Sequence, residues 1–312
     1  MKGTGRLAAL AVGVVAILVT GCGSGGSGGS QRSPSSASSS GSGQPTAPVS
    51  SSASTPAGHV PSPAHTVVVV LENHAYSEVI GNPAAPFLNQ LARQGALFTH
   101  SFAITHPSEP NYLALFSGST HGVFADLCPV ELSAPNLAAD LIAAGKTFAG
   151  YSEGLPAIGS QVCSAGEYAR KHVPWTNFRN VPRSVNLPFS SFPASDFSRL
   201  PTVSFVIPNL CNDMHDCTVA TGDTWLRAHV GAYARWAMTH DSLLIVTWDE
   251  DDGSQSNQIP TIFAGQFVRP GAYAERITHY SVLATLGAAY GLPRIGNGTA
   301  RSQPPITSIW RS

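Results

Sequence analysis

Charge is scarce in this sequence, and what there is of it cancels. Lysine, arginine, aspartate and glutamate make up 11% of 312 residues, and the formal net charge is -1. There is no basic stripe to bind nucleic acid and no acidic tail to act as a solvating segment. Internal repeats are lacking too, which excludes a solenoid. No Cys-x-x-Cys pair offers the usual spacing of a zinc site. Gly118–Gly122 has the outline of a nucleophile elbow but carries Thr120 at its centre, which argues against a carboxyl-ester hydrolase built there. The apolar run from Leu7 to Val19 falls short of the roughly 20 residues that span a bilayer.

That run reads instead as the core of an export signal. Lys2 and Arg6 supply its positive start, and it closes on Leu18-Val19-Thr20-Gly21-Cys22. Small residues leading into a cysteine resemble a bacterial lipobox, in which the chain is cut before Cys22 and the cysteine carries lipid. An ordinary secretory signal beside a free cysteine is the alternative. Residues 23–63 are nearly all Ser, Gly, Pro and Ala, with nothing to bury, and read as a flexible tether. The expected organisation is a signal over 1–22, a tether over 23–63 and one domain over 64–312. The expected location is outside the cytoplasm, lipid-anchored to the cell membrane, with a released fraction allowed.

Four further cysteines remain in the domain. An even number in an exported chain favours disulfides over zinc ligation. Cys211 and Cys217 are near enough in sequence to close a small loop, which leaves Cys128 to pair with Cys163.

Past the tether, apolar runs alternate with helical patterns. Thr66–Leu71 is continuous and β-branched, the pattern of a strand covered on both faces. Residues 202–209, 243–253 and 259–265 read as further strands, with another leading from Thr147 to Ser152. Between them lie helical segments: 85–94 ending at Gly95, 136–144 ending at Gly145, 224–240, and 279–290. The alternation predicts an α/β domain with a mostly parallel central sheet and helices on both faces. Residues 152–200, rich in Pro, Ser and Asn, read as a capping insertion that shapes the site.

Ligands of such sheets gather at the carboxyl ends of the strands. The first strand runs into Glu72 and Asn73, and a later one into Asp249, Glu250, Asp251 and Asp252. Clustered carboxylates repel unless a cation or a proton relieves them, and a divalent metal with oxygen ligands does so economically. Ser108 lies between Pro107 and Pro110 at the start of a helical run. There, free backbone N–H groups favour an anion, although serine before a helix is ordinarily a cap. Lys171 stands beside His172, while Asp213, His215 and Asp216 occupy the loop that Cys211 and Cys217 would close. His279, at a helix start, reads as structural.

In this order, the segments beginning at Val67, Thr105, Tyr151, Ala169, Asn212 and Val246 resemble the bacterial phosphoesterase family of acid phosphatases and phospholipases C, within the alkaline-phosphatase-like superfamily. The resemblance covers residues 65–295 and is nearest to the short secreted acid phosphatases, including those acting on phosphatidylinositol 3-phosphate. It implies a divalent metal, with Mg²⁺, Ca²⁺, Mn²⁺ and Zn²⁺ as alternatives, held by Glu72, Asn73, Ser108, Asp249 and Glu250. Either Glu250 or Asp251 completes that set. It further implies that Ser108 forms a phosphoseryl intermediate, with His172 and His215 contacting the phosphate; Lys171, beside His172, is a further candidate for that contact. The expected substrate is a phosphate monoester or phosphoinositide. A phospholipase C-type diesterase is one alternative, and a non-catalytic lipoprotein that binds phosphate or phospholipid is another.

Overall fold

The computed structural model describes residues 59–311. The signal, Cys22 and the tether up to residue 58 lie outside the described residues. Within the expected tether, Val60 packs against the core and Pro63 is buried. No helix among the described residues is long and apolar enough to cross a membrane.

Ten strands form in chain order: β1 (His65–Leu71), β2 (Ala96–Phe102), β3 (Phe148–Ser152), β4 (Ser164–Ala165), β5 (Tyr168–Ala169), β6 (Asn186–Pro188), β7 (Val203–Ile207), β8 (Ser242–Trp248), β9 (Thr261–Gly265) and β10 (Gly271–Thr278). Eight of them build one sheet in the order β10-β2-β9-β8-β1-β7-β3-β6, and β4 pairs with β5 in a small hairpin. Every pairing in the large sheet is parallel except those of β9 with β8 and β2.

The valine run explains why β1 lies inside the sheet. Its side chains alternate by two along the pleat. Val68 and Val70 enter one apolar cluster, and Val67, Val69 and Leu71 enter the other. The first cluster is covered by α3 (Ser108–Ser117), α4 (Leu137–Ala143) and α7 (His279–Ala289). The second is covered by α2 (Pro86–Gln94), α5 (Val219–His229) and α6 (Gly231–Ala237). Two short helices, α1 (Tyr76–Val79) and α8 (Gly298–Ser302), complete the set. The expected α/β architecture is present, with helices on both faces.

The sequence reading differs from the structure in three places. The helix expected over 224–240 begins at Val219, capped by the Thr218 hydroxyl, and breaks between α5 and α6. Gly231, a poor helix former, sits at the break. Strands β2 and β10 were not anticipated. The 152–200 insertion is built from the β4–β5 hairpin, β6 and five 3-10 turns, and it is packed rather than loose. Trp175 from this insertion lies flat on β3, so close that a Cβ on Gly150 would meet its ring at 2.1 Å.

Candidate active site

Strand order brings the polar strand ends together. β1 lies beside β8, with Leu71 in register with Trp248, so Glu72 and Asp249 leave the sheet side by side. Both are buried. Asn73, in the left-handed region at φ 52°, turns the chain here and donates its backbone N–H to Asp249 Oδ1 at 3.2 Å.

Ser108 is the first residue of α3, a helix buried along its whole length. Its Oγ donates to Glu72 Oε2 at 3.0 Å and lies 3.4 Å from Glu250 Oε1. Asn111, one turn on, donates to Glu250 Oε2 at 3.2 Å. The amino end of α3 offers an anion less than the sequence implied. Glu109 N–H is taken by Asp126 Oδ1 at 3.0 Å, and Pro110 has no N–H to give.

Glu250 and Asp251 face different ways. Glu250 turns toward Ser108, whereas Asp251 accepts the backbone N–H groups of Gly253, Gln255 and Asn257 and so closes its own loop. His106 bridges the two acids, with Nδ1 2.9 Å from Glu250 Oε2 and Nε2 3.2 Å from Asp251 Oδ1.

On the opposite side, the buried His172 ring stacks on Tyr112 at 5.1 Å between centroids. His172 Nε2 is 3.2 Å from Glu72 Oε1, and Nδ1 is 3.3 Å from Asp213 Oδ2. Neither contact has the alignment of a hydrogen bond, so His172 Nε2 and Asp213 Oδ2 remain unpartnered. The His215 ring follows, 5.8 Å from that of His172. His215 Nδ1 is 2.7 Å from Asp216 Oδ1, and Nε2 lies 3.5 Å from Lys171 Nζ, which is paired with Asp126 at 2.7 Å. The Cys211–Cys217 disulfide closes this loop, and Cys128–Cys163 forms as well. His279 holds the Asp249 carbonyl through Nε2 at 2.7 Å, a structural contact.

The electrostatics are those of a site built for a cation. Burial, and then the neighbouring Asp249 and Asp213 charges, push Glu72 well above the usual carboxylate range. Burial pushes Asp249 up to about 7, and Glu250 and Asp213 up to about 8. Burial, with Lys171 and His215 adding to it, holds His172 neutral by lowering it well below its ordinary value. Asn73 Oδ1, Asp249 Oδ2 and His172 Nε2 are buried and unpartnered. Glu72, His172 and His215 each offer an atom within 4.8 Å of the others. The donor set therefore fits a divalent metal.

Four contributors escaped the sequence reading. Tyr112, His106 and Asn111 sit inside or beside an apolar helix, and Asp126 is in an unremarkable loop. Only the position of Asn111 and Tyr112 one turn beyond Ser108 was a usable signal. Gly150-Tyr151-Ser152-Glu153-Gly154 also has the spacing of a nucleophile elbow. Ser152 ends β3 fully buried, and the chain continues into a turn instead of a helix, so the elbow is not built.

This fold is shared with a protein of the alkaline phosphatase superfamily from Vibrio parahaemolyticus, at a TM-score of 0.54 and 13% identity over 76% of this chain and 68% of that one. The phosphoesterase family profile matches residues 82–293, more than half of the chain. A phosphatidylinositol-3-phosphatase of Mycobacterium tuberculosis is 59% identical over 81% of this chain and 85% of its own length. An acid phosphatase of Aspergillus fumigatus is 33% identical over 73% of this chain, which spans 55% of that longer protein. The chain is thus that of a phosphoric ester hydrolase. The chain belongs to the phosphoesterase family.

Proposed function

We propose that the protein is a metal-dependent acid phosphatase that cleaves phosphate monoesters, phosphatidylinositol 3-phosphate among them, with Ser108 as nucleophile. The observation that carries this reading is the Ser108 hydroxyl, buried between Glu72 Oε2 at 3.0 Å and Glu250 Oε1 at 3.4 Å. The mycobacterial phosphatase, similar over most of its length, supports the substrate class.

Glu72, Asn73, Asp249 and His172 would hold the metal, and Glu250 rather than Asp251 would complete the set. When bound, the metal neutralises charge that develops on the phosphoryl oxygens and favours serine in its nucleophilic form. An imidazole among the carboxylates suits Mn²⁺ or Zn²⁺ better than Ca²⁺. The protein's own groups do the rest. The Ser108 proton passes to Glu72 or Glu250 as the Oγ–P bond forms and the ester P–O bond breaks. The leaving alkoxide takes a proton from the Lys171–His215 pair at the rim. Water then attacks the phosphoserine, freeing phosphate and restoring the hydroxyl. We further propose export and lipid anchorage through Cys22, on the strength of the lipobox-like Leu18–Cys22 segment.

The test is hydrolysis of p-nitrophenyl phosphate, with and without a chelator and with single metals restored, beside Glu72→Ala. Chelator-sensitive turnover that Glu72→Ala loses supports the reading. Cleavage of a diester but not of the matching monoester would favour the phospholipase C alternative. Metal binding without turnover on either ester would favour a binding protein.

A further inference from the structure

Five large apolar side chains are exposed among the described residues: Phe124, Leu127, Ile142, Ile158 and Val162, with Phe124 82% and Ile158 62% accessible. Single exposed apolar residues are ordinary. Four of these five, however, lie on two loops, 119–131 and 155–163, and the Cys128–Cys163 disulfide joins those loops directly beside Leu127 and Val162. Exposed apolar side chains on two loops held together by a covalent link mark a contact surface.

The first loop is fastened to the rim of the active site. Asp126, between Phe124 and Leu127 in sequence, accepts from the N–H of Glu109, the residue after Ser108, and pairs with Lys171. Leu127 N–H in turn donates to Glu109 Oε2 at 2.6 Å. The first loop therefore borders the site, and the disulfide ties the second loop to it.

The same loops also line a cavity of about 300 Å³, through Glu131 and Gln161, whose walls carry Arg170, Arg179 and Arg183. Glu131 is paired with Arg179, so the lining keeps a net positive charge from Arg170 and Arg183. Arg170 is 5% exposed and has no carboxylate partner among the described residues. Its donors go to Thr176 Oγ1 at 3.2 Å, Gln161 O at 3.0 Å and Thr176 O at 3.0 Å. In a chain this poor in charge, a net positive cavity bordered by loops with exposed apolar side chains is complementary to an anionic lipid surface, with acyl chains for the apolar side chains and the cavity's net charge, Arg183 above all, for the headgroup phosphates.

We propose that the two disulfide-joined loops, with Phe124, Leu127, Ile158 and Val162 at their tips and the arginine-lined cavity they border, dock the protein on the face of an anionic phospholipid bilayer. This deepens the phosphatase reading, on which it rests, by making a lipid-embedded phosphomonoester the favoured substrate over a soluble one.

The experiment uses the full chain carrying Cys22→Ser, so that no acyl anchor contributes. Co-sedimentation is measured with vesicles of phosphatidylcholine alone and of phosphatidylcholine with phosphatidylserine. Phe124→Ser/Ile158→Ser is compared with the parent, and Leu127→Ser/Val162→Ser serves as an independent second pair should the first disturb folding. The parent binds the phosphatidylserine vesicles, and each tip pair loses about tenfold or more in affinity. Its p-nitrophenyl phosphate turnover stays unchanged while hydrolysis of vesicle-borne phosphatidylinositol 3-phosphate falls in parallel with binding. Arg179→Gln/Arg183→Gln loses the preference for anionic over neutral vesicles. A parent that ignores vesicles, or tip variants that bind as the parent does, overturns the proposal. Absence of p-nitrophenyl phosphate turnover in the parent would defeat the phosphatase reading alone, since sedimentation still decides the docking surface.

Discussion

Tyr112 donates its hydroxyl to Glu72 Oε1 while its ring stacks on His172, so one side chain positions a carboxylate and an imidazole together. The other oxygen of Glu72 accepts from Ser108. Tyr112→Phe removes the hydroxyl and keeps the ring. The expected result is a stability loss of about 1–3 kcal/mol from the abandoned buried acceptor. A fall in kcat and in metal affinity should accompany it, read by titrating activity back after chelation. Unchanged metal affinity would show that Tyr112 only packs.

Removing metal should destabilise the fold as well as stop turnover. Glu72, Asp249, Glu250 and Asp213 are forced together in the interior, and only a cation or protons relieve them. The melting temperature is expected to fall on chelation and to recover with Mn²⁺ or Zn²⁺. Under chelation Asp249→Asn, which removes one of these charges, should melt higher than the parent while remaining inactive.

Glu109 gives a pH dependence whose sign is fixed. Burial raises its carboxyl to about 7, against an ordinary value of 4.5. The folded state therefore binds the proton more tightly than the unfolded one. The resulting stability is complete below about pH 4.5 and is lost as pH rises through 7. Glu109→Gln should flatten this part of the melting-temperature profile between pH 5 and 8. A variant profile parallel to that of the parent would contradict the assignment.

The Cys211–Cys217 link joins residues six apart in sequence and encloses Asp213 and His215. A loop this short adds little to global stability by closure entropy, so its effect should be local. Cys211→Ser/Cys217→Ser is expected to raise KM for phosphate esters and to shift the melting temperature only slightly. Global unfolding of the variant would show that the link holds more than the loop.

Much of the architecture was legible because β1 and β8 are apolar on both faces, and no other arrangement buries them. Glu72 and Asp249 were legible for the same reason: an acid at the end of such a strand stands at the sheet's edge. The reversal of β9 was not, since strand direction leaves no mark on periodicity. Exposed β10 hides its strand character behind Glu275 and Arg276. Tyr112 reads as one more apolar residue of α3 until the fold carries His172 against it. Asp126 acquires meaning only through the Glu109 N–H and Lys171, 17 and 45 residues away.

The central claim is that Ser108 carries the phosphoryl group. Its most direct test is acid quenching of the protein during turnover of a phosphate monoester, followed by mass spectrometry of the peptide containing Ser108. The account predicts one added phosphoryl group on Ser108 in the parent, and neither label nor turnover in Ser108→Ala. Turnover that persists in Ser108→Ala, or a label on another residue, would contradict it.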